Sequence, residues 1–249
     1  MRKPIAAGNW KMFKTAKEAV QMLSDLKEKV KDVSEREIVI CPTFTALVPA
    51  VDAVKGSNIK IGAQNVFWEE KGAFTGEIAP GMLKDIGCEY VIIGHSERRQ
   101  YFCETDPTVN KRIFAALKAG LKPIICVGET LQERDSEKTF QVIETQVKGG
   151  LKGLSAEQMK DCVIAYEPVW AIGTGKTATK EQAQEVHAFI RKLLEGMFDK
   201  PTAEATRILY GGSVKPDNMK DLMAQPDIDG GLVGGASLEA DSFSKIVKY

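Results

Sequence analysis

Three short stretches of this 249-residue chain place titratable side chains directly after a short apolar run. They are residues 8–12 (Gly-Asn-Trp-Lys-Met), residues 94–99 (Gly-His-Ser-Glu-Arg-Arg) and residues 166–170 (Tyr-Glu-Pro-Val-Trp). Histidine and glutamate are common general acids and bases, and a fixed lysine can stabilise developing negative charge. Lys11, His95 and Glu167 are therefore candidate catalytic residues. The alternatives are a structural ion pair between Lys11 and Glu167, and an ordinary core or surface histidine.

Two glycine-rich stretches later in the chain have the composition of an anion site. They are residues 210–213 (Tyr-Gly-Gly-Ser) and residues 230–236 (Gly-Gly-Leu-Val-Gly-Gly-Ala). Glycine lets backbone N–H groups approach a phosphate closely, although it also serves in ordinary tight turns. Because the two stretches lie at the last two apolar runs, we interpret them as one phosphate site.

A further glycine-containing stretch resembles a nucleotide P-loop only at its end. Gly175-Lys176-Thr177 matches the end of that motif, but the first glycine of the motif would fall at Trp170. A weak dinucleotide fingerprint, residues 173–178, has no strand before it. We predict instead a lid with an apolar middle and a hinge at each end. The predicted lid residues are Pro168, Val169, Trp170, Ala171, Ile172, Gly173, Thr174, Gly175, Lys176 and Thr177.

The elements that must position these residues are short, nearly all-apolar runs without alternating polarity. That composition is typical of strands buried on both faces of a parallel sheet. The runs are Ile5–Ala7, Ile38–Ile40, Ile59–Ile61, Tyr90–Ile93, Pro123–Val127, Cys162–Ala165, Arg207–Leu209 and Asp229–Val233.

Segments with helical spacing separate the runs. Ala183, Val186, Ile190, Leu193 and Met197 recur at steps of three and four, and residues 179–182 form a capping box before them. A second capping box is predicted at residues 155–158, and two more helical faces at residues 20–30 and 109–120, the latter ending on Gly120. His187 lies inside the first of these helices, and we expect it at the edge of the core without a functional role.

Eight strand-like runs, each followed by a helix-length segment and without linkers, predict one α/β domain over residues 1–249. An open doubly wound sheet shares this alternation. Eight units in this length favour a closed (β/α)8 barrel of eight parallel strands with outer helices. In such a barrel the active site lies at the carboxyl ends of the strands, which is where the candidate residues fall.

Composition restricts the possible partners. The 34 basic and 34 acidic residues cancel, so no net positive field favours nucleic acid or an anionic membrane. Five scattered cysteines without a C-x-x-C pair predict neither a disulfide framework nor a zinc site. The first apolar run is too short for a signal peptide, and we expect a cytoplasmic protein with a small-molecule ligand.

Taken together, these residues resemble the triosephosphate isomerase family from Gly8 to the Gly234-Gly235 pair. The most specific blocks are residues 165–175, 94–99 and 8–11. The resemblance implies a TIM barrel that needs no metal and no organic cofactor. It also implies interconversion of dihydroxyacetone phosphate and D-glyceraldehyde 3-phosphate in glycolysis and gluconeogenesis.

The resemblance assigns roles to individual residues. Glu167 is implied to be the base that moves a proton between neighbouring carbons, and His95 to be a neutral proton relay at the start of a helix. Lys11 would stabilise the enediolate and bind substrate, Asn9 would orient the substrate, and Glu97 would be a supporting carboxylate. The phosphate would rest on backbone N–H groups of Gly173, Ser213, Gly234 and Gly235.

The loop after the third run, residues 64–77, is too long for a simple turn. In the family this loop makes a homodimer, and Thr75 would enter the partner near its Asn9 and Lys11. The alternative is an exposed Ω-loop that packs on itself.

Two other functions are compatible with the residues alone. Another phosphate-binding barrel, such as an aldolase, would use Lys11 as a Schiff-base amine. A non-catalytic scaffold would keep the fold, but it would be expected to lack the base, and Glu167, His95 and Lys11 are all present.

Overall fold

The computed structural model describes residues 2–172 and 177–249. Its strands run parallel in the order β1 to β8, and β8 pairs with β1, so the sheet closes into a barrel. This confirms the (β/α)8 barrel and excludes the open doubly wound sheet. The strands are β1 Ile5–Asn9, β2 Glu37–Cys41, β3 Ile59–Ala63, β4 Tyr90–Ile93, β5 Lys122–Val127, β6 Val163–Tyr166, β7 Arg207–Tyr210 and β8 Gly230–Val233.

The barrel interior is a separate apolar cluster, distinct from the larger core between the strands and the helices. Because side chains alternate across a strand, every second residue of each strand points inward. The interior side chains are Ile5, Ala7, Val39, Cys41, Tyr90, Ile92, Ile124, Cys126, Val163, Ala165, Leu209 and Leu232. The interior is therefore filled by side chains, and open space is left for a ligand at the mouth.

The outer layer consists of helices that pack one apolar face on the strands. They are α1 Ala16–Val30, α2 Leu47–Val54, α3 Pro80–Asp85, α4 Ser96–Tyr101, α5 Asp106–Lys118, α6 Leu131–Asp135, α7 Thr139–Gly150, α8 Ala156–Met159, α9 Lys180–Met197, α10 Lys200–Ala205, α11 Met219–Met223 and α12 Ala240–Val247. Short 3-10 turns lie at Phe44–Ala46, Val169–Ala171 and Gly235–Ser237. No helix in the described ranges combines the length and the apolarity needed to cross a membrane.

The predicted helix starts are confirmed. Thr179 caps α9 and Ser155 caps α8, each in a reciprocal capping box with the residue three positions later. Such a box satisfies two backbone donors that a helix start leaves free. Of the two helices, α9 follows strand β6, so its defined start fixes the length of the β6–α9 loop at the barrel mouth.

The expectation for His187 was wrong. Its side chain is fully buried in the core and does not lie at its edge, because α9 turns it toward the strands beside Tyr166 and Tyr210. Burial lowers the pKa of His187 to about 3, so the ring is neutral. Its Nδ1 lies 3.2 Å from the carbonyl oxygen of Asp227.

Candidate active site

Strand geometry places the candidate residues at the barrel mouth. Asn9 continues the inward-facing positions of β1, and Glu167 follows those of β6. Gly211 and Gly234 occupy the corresponding positions after Leu209 and Leu232, and their lack of side chains leaves open space over the barrel. The result is a cavity above a sealed apolar floor.

Glu167 is buried, with 2% of its surface exposed. Its Oε1 lies 3.0 Å from Nε2 of His95, and its Oε2 accepts a hydrogen bond of 3.3 Å from the backbone N–H of Ser96. His95 is the N-cap of α4, and its Nδ1 accepts the backbone N–H of Glu97 at 3.2 Å. An imidazole nitrogen that accepts a hydrogen bond carries no proton. The arrangement is therefore a neutral ring that donates from Nε2 to the carboxylate.

The two groups shift each other's pKa. Burial raises the pKa of Glu167, but the contacts with His95 and the Ser96 N–H lower it by more. The pKa of Glu167 therefore lies below its ordinary value. Burial lowers the pKa of His95, but the carboxylate of Glu167 raises it by more. The helix start alone therefore does not set the charge of His95. The expected neutral ring depends also on where the Glu167 carboxylate lies.

Lys11 has a backbone conformation that side-chain-bearing residues seldom adopt, with φ at 51°. Its peptide is held from both sides, because its N–H donates to Oδ1 of Asn9 at 3.0 Å and its carbonyl accepts from Nε2 of Gln64 at 2.8 Å. The ammonium group lies 2.6 Å from Oε1 of Glu97. The ion pair of Lys11 is thus with Glu97, whereas Glu167 pairs with His95.

The cavity at the mouth encloses about 370 Å³, which is the size of a small metabolite site. Asn9, Lys11, His95 and Glu167 line it. Ser213, Gly234 and Gly235 also line it, as do Ala171 and Ile172 of the predicted lid. Glu97 does not line the cavity, but it forms an ion pair with Lys11, which does. Gly173, the remaining predicted phosphate ligand, lies outside the described residues.

The two glycine-rich loops, after β7 and after β8, are held by local hydrogen bonds. In the loop after β7, Nδ2 of Asn218 donates to the carbonyl of Ser213 at 2.9 Å, and Oδ1 of Asn218 accepts the N–H of Lys215 at 2.8 Å. After β8, the hydroxyl of Ser237 donates to the carbonyl of Gly234 at 2.7 Å. These contacts turn the carbonyls of Ser213 and Gly234 toward their own loops.

The start of the predicted lid rests on a carboxylate that the sequence analysis missed. Glu129, after β5, is fully buried. It accepts hydrogen bonds from the Tyr166 hydroxyl at 3.1 Å, the Trp170 indole at 2.9 Å and the Arg134 guanidinium at 3.1 Å. Arg134 also covers the Trp170 ring, 4.6 Å from its centre. The available signal was its position two residues after the fifth apolar run, which is a strand end like those of the other candidate residues.

The remaining predicted lid residues are only partly described. Residues 169–171 form the 3-10 turn, and Thr177 is exposed before the cap of α9. Gly173, Thr174, Gly175 and Lys176 lie outside the described residues. Thr75 is exposed in the loop between β3 and α3. Within residues 2–172 and 177–249, no group of three or more His, Cys, Asp or Glu side chains is arranged to hold a metal ion.

Comparison with known proteins identifies this arrangement. A family model described as triosephosphate isomerase matches residues 4–249. The chain belongs to the triosephosphate isomerase family. A curated triosephosphate isomerase of Endomicrobium trichonymphae is 63% identical over 249 residues, which cover the whole of this chain and 99% of the relative. Another, of Moorella thermoacetica, is 61% identical with the same coverage.

A solved structure agrees with the sequence comparisons. The crystal structure of triosephosphate isomerase from Bartonella henselae has a TM-score of 0.89 and 42% sequence identity, and the match covers 98% of this chain and 97% of that one. Family membership carries the reaction for which the triosephosphate isomerase family is named, the aldose–ketose isomerisation of a triose phosphate. Neither the fold nor the comparisons favour an aldolase or a non-catalytic scaffold.

Proposed function

We propose that this chain interconverts dihydroxyacetone phosphate and D-glyceraldehyde 3-phosphate through an enediolate, with Glu167 as the base. The observation that carries the proposal is the opposed pair of Glu167 and His95 in one cavity that also contains Lys11 and the glycine-rich loops. A base, a proton donor, a fixed cation and an anion cradle are what this reaction requires. Glycolysis and gluconeogenesis are the corresponding metabolic context.

The reaction starts when the Glu167 carboxylate exchanges His95 for the substrate. It takes a proton from the carbon next to the carbonyl, and the electron pair of the broken C–H bond forms the enediolate double bond. Negative charge then develops on the carbonyl oxygen, where Nε2–H of His95 is positioned to donate. Glu167 returns its proton to the neighbouring carbon, while His95 moves the hydroxyl proton between the two oxygens.

Lys11 and Asn9 stabilise and orient the substrate. The ammonium group of Lys11 is fixed by Glu97 before substrate arrives, so little reorganisation is needed as the enediolate charge appears. Asn9 holds the Lys11 peptide through its Oδ1, which leaves its side-chain NH2 available for a substrate oxygen. Glu97 therefore acts through Lys11, as a supporting carboxylate.

The phosphate group is assigned to the backbone N–H groups of Ser213, Gly234, Gly235 and Gly173. The lid, residues 168–177, would close over the substrate and exclude water from the enediolate. Closure must break the indole hydrogen bond between Trp170 and Glu129, if Trp170 moves with the lid. Glu129 would then keep Tyr166 and Arg134 as donors, so its charge stays compensated in both positions of the lid.

We also assign a homodimer. Large apolar side chains are exposed in the loops and helices that follow the first four strands, where a monomer would leave them in water. Met12 is 91% exposed, and Tyr101 and Phe102 are 67% and 63% exposed. Contiguous exposed apolar surface is typical of a protein interface. Phe74 and Thr75 lie in the loop that would enter the partner, close to the partner's Asn9 and Lys11.

The remaining assignments concern the setting of the enzyme. We assign residues 1–249 to one catalytic domain that works in the cytoplasm without a metal or organic cofactor. A chain with zero net charge and a small enclosed cavity fits a small phosphorylated substrate better than nucleic acid or a membrane surface.

A coupled assay of triose phosphate interconversion tests the proposal, with Glu167→Gln as the informative variant. Gln keeps the shape of the side chain but cannot accept the proton, and we expect kcat to fall by about 10²–10⁴-fold. Glu195→Gln on the exposed face of α9 removes the same charge and should leave kcat unchanged. An inactive wild-type protein, or a fully active Glu167→Gln variant, would contradict the proposal.

A further inference from the structure

The charges of the side chains at the cavity sum to zero only if Lys215, a lysine at its rim, is included. Among the described residues, Lys11, Lys215 and Glu167 are the charged groups that line the cavity, and Glu97 is paired with Lys11. Two positive and two negative charges give zero. Without Lys215 the sum would be −1, and the cavity would repel a phosphate dianion.

Lys215 lines the same cavity as Ser213, Gly234 and Gly235, and it is exposed to solvent. It lies two residues after Ser213, in the loop that follows β7. Its backbone is fixed, because Oδ1 of Asn218 accepts its N–H while Nδ2 of the same side chain holds the carbonyl of Ser213. The position of Lys215 is therefore coupled to the loop that supplies a phosphate-binding N–H group.

The charge of Lys215 is also uncompensated. It forms no ion pair with any residue in the described ranges, whereas the charge of Lys11 is offset by Glu97 at 2.6 Å. A lysine ammonium on a flexible stem acts on phosphate as a point charge and does not need one fixed geometry. Lys215 can therefore attract an incoming dianion before the substrate reaches Lys11.

We propose that Lys215 is a second cationic binding residue for the substrate phosphate, which attracts the dianion to the cavity and takes no part in proton transfer. This inference rests on the proposed function and deepens it, because it adds a residue outside the backbone cradle. Lys11 serves the reacting oxygens and also lies beside the glycine-rich loop after β8, because a Cβ added at Gly234 would be 3.7 Å from its Cε. Lys215 serves the phosphate alone.

The expected effect is moderate and depends on salt. At low ionic strength, one unit charge near a dianion in a solvated site changes the association rate constant and the binding affinity by about two- to fivefold. The Debye length falls from ~30 Å at 0.01 M to ~3 Å at 1 M, so the effect should largely disappear at high salt. Because proton transfer is untouched, kcat should not change.

The test uses Lys215→Gln, Lys215→Glu and Lys215→Arg in the full chain. We expect kcat/KM at 10 mM ionic strength to be lowest for the glutamate variant, about two- to fivefold below wild type for the glutamine variant, and near wild type for the arginine variant. The inhibition constant of inorganic phosphate should be highest for the glutamate variant, intermediate for the glutamine variant and near wild type for the arginine variant. At 1 M salt the variants should converge.

Lys220→Gln is the matched control, since Lys220 is an exposed lysine of α11 that does not line the cavity. It removes the same net charge and should leave kcat/KM and its salt dependence as in wild type. Equal salt dependence of Lys215→Gln and Lys220→Gln would overturn the inference, as would a loss confined to kcat. An inactive wild-type protein would instead contradict the proposed function, so the two failures are distinguishable.

Discussion

Gly211 is the position where the addition of one methyl group should most directly move the carboxylate of Glu167, the proposed base. A methyl group added there would lie 2.7 Å from Cγ of Glu167 and 3.3 Å from the carbonyl oxygen of Tyr166. Non-bonded carbons approach only to about 3.5–4.0 Å, so the Glu167 side chain must shift by about 1 Å. Gly211 is not in the left-handed region, so alanine adds no backbone strain at this position.

The expected loss of activity follows from that displacement. A misplacement of about 1 Å at a reacting group costs roughly 10²-fold in rate. We therefore expect Gly211→Ala to lower kcat about 100-fold in the coupled assay. KM should change less, because alanine at position 211 keeps the backbone N–H groups of its own loop, and the added methyl group meets Glu167 and Tyr166 rather than Ser213, Gly234 or Gly235. Circular dichroism and a thermal melt should show an intact fold.

Gly196→Ala provides the control for a glycine substitution. Gly196 lies in α9, where an added methyl group meets no atom within 4 Å, and we expect a gain in stability of about 0.5–1 kcal/mol with unchanged kcat. If Gly211→Ala retained kcat within about threefold of wild type, the placement of the carboxylate would not depend on this contact. The reasoning that links the missing side chain to catalysis would then be wrong.

Two further predictions concern stability. Burial raises the pKa of Glu37, but its bonds to Tyr90 and Arg207 lower it more, to about 2. The ionised Glu37 carboxylate therefore stabilises the fold fully above about pH 4.5, and this stabilisation of about 2 kcal/mol, after allowance for solvent screening, is lost as pH falls toward 2. The free energies of unfolding of wild type and Glu37→Gln, measured by denaturant titration, should converge as the pH is lowered over that range. A difference that stays constant with pH would refute the linkage. Tyr166→Phe removes a donor from buried Glu129 and should lower the free energy of unfolding by about 1.5–3 kcal/mol. Tyr249→Phe, which removes a hydroxyl without a hydrogen-bond partner among the described residues, should change it by less than about 0.5 kcal/mol. Equal effects of the two substitutions would contradict the role of Glu129.

The sequence predicted the barrel because its strands are buried on both faces. Runs such as Ile38–Ile40 lack the alternation of a half-exposed sheet, and local hydrogen bonds at Thr179 and Ser155 fix the helix starts from a few neighbouring residues. Both signals are short-range or compositional. Both can therefore be recognised in a single sequence without knowledge of the folded chain.

Pairings across the barrel mouth could not be predicted in the same way. Lys11 had two carboxylates to choose from, and only the folded positions of β1 and α4 place Glu97 at 2.6 Å. Glu129 had no local feature that distinguished it from other loop acids, because its donors come from β6, α6 and the lid. The burial of His187 likewise depends on the rotation of α9 against the strands.

The left-handed backbone of Lys11 places folding and catalysis in conflict at one position. A conformation with φ at 51° costs a side-chain-bearing residue roughly 1 kcal/mol or more, and glycine would avoid most of that cost. Glycine would also delete the ammonium group from the cavity. Selection for stability alone would therefore favour glycine at position 11, whereas the role proposed for Lys11 in turnover requires the lysine. Among variants chosen only for a higher melting temperature, we expect replacement of Lys11 by glycine to be an early cause of lost activity.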